Sequence, residues 1–100
     1  MIDFENPGSY EVIAVGDTPI GLTAAKLNGP TGVRNSQALI SVENYSIRWT
    51  ADGTEPSATV GMLMQAGDSM VLTGKQALNN FKMHFVTSEA SVRVHYWYQL

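Results

Sequence analysis

One hundred residues, nine acidic against six basic, give a net charge of −3 with no cysteine. That length is one domain, which buries roughly 60–70% of the surface its unfolded chain exposes and can fold alone. The missing cysteines exclude disulfides, thiolate zinc sites and cysteine nucleophiles, and six scattered cations argue against nucleic acid, which needs clustered Lys and Arg.

Met1–Ser9 carries Asp3, Glu5, Asn6 and the pair Pro7-Gly8, and reads as an extended N-terminal arm with two apolar anchors, Ile2 and Phe4. Its start is neither basic nor apolar, so it does not read as a signal peptide. No stretch approaches the ~20 apolar residues of a membrane span. The chain starts at Met1 and closes just past its final strand, so the expectation is a complete, soluble protein made in a cytoplasm.

From Tyr10 onward the period is two. Tyr10–Val15 and Thr18–Thr23 are short β-type runs split by Gly16-Asp17. Asn28-Gly29-Pro30 and Gly32 make Lys26–Asn35 a loop. Ser36–Glu43 alternates Ala38, Ile40 and Val42 against Gln37, Ser41 and Glu43, a half-buried strand. Ser46–Thr50 follows, then a turn over Ala51–Ser57 in which Asp52-Gly53 suits positive φ and Pro56 cannot join a central ladder. Thr59–Met64 and Ser69–Thr73 flank Ala66-Gly67-Asp68. Gln76–Asn80 is the one helix-like piece, and Phe81–Thr87 and Ser91–Tyr98 close the chain. These elements predict an all-β fold: a single antiparallel β-sandwich or jelly-roll-like barrel of about eight short strands over residues 10–100, preceded by an arm over 1–9.

The last two runs suggest a hairpin. Phe81, Met83 and Phe85 share one face, as do Val92, Val94, Tyr96 and Tyr98. Pairing apolar with apolar sets Phe81 against Tyr98, Met83 against Tyr96 and Phe85 against Val94. On the other face that register puts Lys82 by Trp97, His84 by His95, and Val86 by Arg93.

Little in the chain points to catalysis, metal or cofactor chemistry. His84 and His95, even if adjacent, are two ligands where zinc needs three or four. Asp17, Asp52 and Asp68 each adjoin a glycine and read as turn-formers. Neither histidine sits near a glycine-rich elbow, and no glycine cluster opens a helix. The expectation is a protein that is not an enzyme and needs no cofactor. Trp97, sharing a face with Arg93 and His95, is a candidate interface anchor or sugar platform, while Trp49 alternates with Ile47 and reads as core. Only 15% of the residues are charged, against about a quarter in ordinary domains. Tyr10–Val15, Thr59–Met64 and Ser69–Thr73 are apolar on both faces, which suggests burial against another subunit.

Ala38–Tyr98 resembles the small virion proteins of tailed bacteriophages. The stretch ALISVENYSIRWTADGTEPSATVGMLMQAGDSMVLTG, followed by FKMHFVTSEASVRVHYWY, carries the likeness. Its marks are Ile47-Arg48-Trp49, then Asp52-Gly53-Thr54 with Pro56 and Ser57, then Gly61, the Gly67-Asp68 turn, and a closing strand of alternating Val and Tyr. The resemblance implies a capsid decoration or cement protein on the outer surface of the head. Its partners would be the major capsid protein and itself, as a homotrimer, with no nucleic acid or membrane contact. Ile2, Phe4, Arg93 and Trp97 are the expected contact residues. Alternatives are a head-tail connector, fibre or tail component in few copies, or a carbohydrate-binding sandwich that recognises a host surface. Asp-Gly-Thr-x-Pro turns also occur in immunoglobulin-like modules of carbohydrate-active enzymes.

Overall fold

A computed structural model describes residues 6–28 and 33–99. In chain order the elements are β1 (Asn6–Val15), β2 (Ile20–Gly21), a 3₁₀ turn (Ala24–Leu27), β3 (Asn35–Val42), β4 (Ile47–Thr50), β5 (Met62–Met64), β6 (Ser69–Thr73), α1 (Lys75–Asn80), β7 (Lys82–Phe85) and β8 (Ala90–Tyr98). The strands form two four-stranded antiparallel sheets, ordered β1-β8-β3-β6 and β2-β7-β4-β5.

These two orders amount to one long antiparallel ribbon rolled up. Strand 1 pairs with 8, 2 with 7, 3 with 6 and 4 with 5, and the β8–β3 and β7–β4 pairings close the roll. This is the jelly-roll arrangement of a β-sandwich. Four-residue arches at 16–19, 43–46, 65–68 and 86–89 carry the chain between sheets at one end. The connections 51–61 and 74–81, with the described residues 22–28 and 33–34 that follow β2, lie at the other end, where β1 begins and β8 finishes.

The expected hairpin of the last two strands does not form, because β7 and β8 belong to opposite sheets. The link 86–89 contains no positive-φ residue, which the favoured tight hairpin turns require. Phe81, Met83, Val92, Val94 and Tyr96 are all 0% exposed, meeting across the core rather than along a ladder. Tyr98 pairs instead with Asn6 and Asn35, Met83 with Ile20 and Trp49, and Val94 with Glu11 and Ile40. The pairs His84–His95, Lys82–Trp97 and Val86–Arg93 are likewise not cross-strand neighbours.

Alternation sets the core. Ile13 and Val15 from β1, Ala38, Ile40 and Val42 from β3, and Val92, Val94 and Tyr96 from β8 point inward and are buried. Ile47, Met64 and Met83 meet them from the second sheet. Each of the valines, isoleucines and methionines removed from water contributes about 1.5–3 kcal/mol. β1 starts at Asn6 rather than Tyr10, so Asn6–Ser9, expected in the arm, lie in the sheet. Gly8 occupies the bulge between Pro7 and Tyr10, where a Cβ would fall 2.1 Å from Asn35 Oδ1. The helix-like piece is α1, one residue longer than expected. Only Ile20–Gly21 and Met62–Met64 of their expected runs are strand.

Candidate functional site

Because side chains alternate, the residues between those of the core emerge on the outer face of the first sheet. Register lines them up in two rows: Tyr10, His95, Leu39 and Val71, then Val12, Arg93, Ser41 and Ser69. Tyr10 is 47% exposed, Val12 50% and Leu39 37%. The Tyr10 and His95 ring centroids lie 6.3 Å apart, and those of His95 and Trp97 4.4 Å apart. The first row thus carries aromatic and aliphatic side chains across four strands, and the second sets polar Arg93, Ser41 and Ser69 beside Val12.

Arg93, the cation of this face, is tied down. Its Nη1 donates to the Tyr10 hydroxyl and its Nε to Glu43 Oε1, both at 2.6 Å. The Tyr10 bond, and next the Glu43 carboxylate, raise the guanidinium pKa above its ordinary value. Glu43 cancels its charge, so the face is close to neutral. Arg93 and Trp97 share this face as expected; Ile2 and Phe4 lie outside the described residues.

The two histidines are separated by the core. His84 is buried on the second sheet, its Nδ1 2.6 Å from the Phe85 carbonyl and its Nε2 3.0 Å from that of Asp17. Both ring nitrogens thus face carbonyl oxygens, and the side chain staples the 16–19 arch to β7. Among the described residues, no three or more His, Asp or Glu side chains form a group that could hold a metal ion.

A second feature lies at the long-loop end. Trp49, opposite Met62 and Met83, packs its ring 5.6 Å from Phe81 and supports the core, as its alternation with Ile47 suggests. Trp49 also walls an open groove of about 430 Å³ with Thr50, Asp52, Thr54, Val60 and Met62. The 51–61 loop that shapes it is firmly braced. Thr50 Oγ1 donates to the Thr54 carbonyl and the Thr54 amide to Asp52 Oδ1. Ser57 Oγ accepts from the amides of Thr59 and Val60. From below, Arg48 donates to the carbonyls of Ala58 and Gly61, each at 3.1 Å. The Thr54 amide, with help from its hydroxyl, holds the Asp52 carboxyl below its ordinary value. Asp52 and Asp68 are turn-formers as expected, Asp68 Oδ2 accepting from the Gln65 amide.

A third cluster is structural. Glu11 falls in the inward phase of β1, where the Tyr96 hydroxyl and both the amide and the hydroxyl of Thr23 donate to its carboxylate. Burial first, and then this bond to Glu11, pushes the Tyr96 phenol well above its ordinary 10.0. The network ties the loop after β2 to the sheet.

No protein-family model matches the chain, and neither a curated protein nor a solved structure was found to match it.

Proposed function

We propose that this protein is a structural component of a tailed-phage particle, a decoration protein that binds the outside of the head through the outer face of its first sheet. The observation that carries the reading is that face: exposed Tyr10, Val12 and Leu39 around the His95–Trp97 stack, with its arginine neutralised in place. A neutral aromatic and aliphatic surface at half exposure favours contact with another protein, whose burial of it supplies the affinity. The likeness of Ala38–Tyr98 to small virion proteins agrees with it. The jelly roll is a fold common to virus shells and lectins and by itself speaks for neither.

On this reading, apolar contacts repeated over many copies tie neighbouring capsid subunits together. A homotrimer suits a three-fold position on the shell. The test is the copy number of the chain in purified particles, counted against the major capsid protein. Hundreds of copies support decoration. A dozen or fewer move the protein to the tail or connector, and none overturns the virion role.

A further inference from the structure

We infer that the groove between β4, β5 and the 51–61 loop receives a basic side chain, arginine by preference, presented by the protein's binding partner. This deepens the proposed function only in requiring a protein partner, and it assigns a second contact point at the long-loop end. Three observations on the groove select its occupant.

The first is the pairing of an indole wall with a carboxylate. Trp49 and Asp52 line the same groove, and a planar guanidinium can stack on the one while donating to the other. The second is that the carboxylate is held in its charged form by the Thr54 amide and hydroxyl, while its two oxygens, with about four lone-pair sites between them, retain acceptor capacity beyond those bonds. The third is the state of the donors. The Thr50 hydroxyl and the Thr54 amide are already engaged within the loop. A sugar needs donors for its ring and hydroxyl oxygens as well as acceptors; a guanidinium needs acceptors and a π face.

Charge is complementary. The neighbouring cations are committed elsewhere: Arg48 to the carbonyls of Ala58 and Gly61, and Lys82 to Glu55 at 2.6 Å. The chain as a whole carries −3. The loop's internal bonds fix the groove before any partner arrives, which lowers the ordering cost of binding.

The test is an NMR titration of the intact protein with N-acetylargininamide, following the Trp49 indole N–H, identified with a Trp97→Phe variant. The uncharged citrulline analogue serves as control. A saturating shift with the arginine compound, absent with citrulline, is expected, and added NaCl should weaken it. Asp52→Asn keeps the Oδ1 acceptor for Thr54 and removes the charge, so it should weaken binding roughly three- to five-fold. Equal shifts with citrulline, no shift with either compound, or indifference to Asp52→Asn would overturn the inference. A shift with neutral glycosides in place of arginine would overturn it too and give the groove to a sugar. None of these results alters the particle copy number, so the two readings fail separately.

Discussion

Replacing Tyr96 by Phe removes one oxygen atom from a residue with 0% exposure and leaves the ring packing intact. At about pH 8 the loss is the hydroxyl's bond to the Glu11 carboxylate. A hydrogen bond to a charged group contributes about 1.5–3 kcal/mol, and because Thr23 still serves Glu11 the cost should be about 2 kcal/mol. A second effect depends on pH. The folded state holds the Tyr96 proton more tightly than the unfolded chain, whose phenol titrates near 10.0. Below that value the stabilisation is complete, and as the pH rises through it unfolding begins to release the proton. By about pH 11 the wild type should lose at most ~1.4 kcal/mol through this group, trimmed to about 1 kcal/mol by solvent near the partly buried Glu11. The variant has no such group, and all other titrations are common to both proteins. The stability gap should therefore narrow from about 2 kcal/mol at about pH 8 to about 1 kcal/mol at about pH 11, measured by urea unfolding. A gap that is constant or widens with pH would show that the folded state does not hold the Tyr96 proton more tightly than the unfolded chain.

Two other substitutions probe the long-loop end. Gly61 has φ +121°, and a Cβ there would sit 3.0 Å from the Trp49 carbonyl oxygen. Gly61→Ala should cost about 2–3 kcal/mol in thermal or urea unfolding; a change within ~0.5 kcal/mol would show that the turn relaxes freely. Arg48→Met keeps the aliphatic stem but loses both bonds to the 51–61 loop. It should cost about 1–2 kcal/mol and make the loop the first site cut in limited proteolysis, a pattern unchanged from wild type if Arg48 does not brace it.

The sequence disclosed faces more readily than partners. Alternation in β3 and β8 marks the inward side chains, and Ala38, Ile40, Val42, Val92, Val94 and Tyr96 are buried, while Gln37, read as outward, is 1% exposed and Tyr98, read as inward, is only partly buried. The same alternation cannot distinguish two strands side by side from two strands facing each other across a core. Phe81–Phe85 and Ser91–Tyr98 therefore suggest a hairpin as readily as the arch that forms. Arg93 and Trp97 share a face because they are two positions of one strand, whereas Tyr10 and Leu39 join them only through pairings with distant β1 and β3. The groove is non-local in the same way, drawing Trp49 from β4, Asp52 from the loop and Met62 from β5. One signal was present and missed. Glu11 falls in phase with Ile13 and Val15, and a charge in the inward phase demands partners, here Tyr96 and Thr23.

On the proposed reading, the protein grips a capsid by the outer face of its first sheet. The most direct measurement is the occupancy of phage heads lacking this chain after incubation with wild type or with a Val12→Lys, Leu39→Lys double variant. Val12 is 50% and Leu39 37% exposed, so the double variant should unfold within about 1 kcal/mol of wild type. Near-saturating occupancy by the wild type and loss of most of it in the variant are expected. Equal occupancy by the two proteins would contradict the assignment of the face, and failure of the wild type to bind would contradict the capsid role.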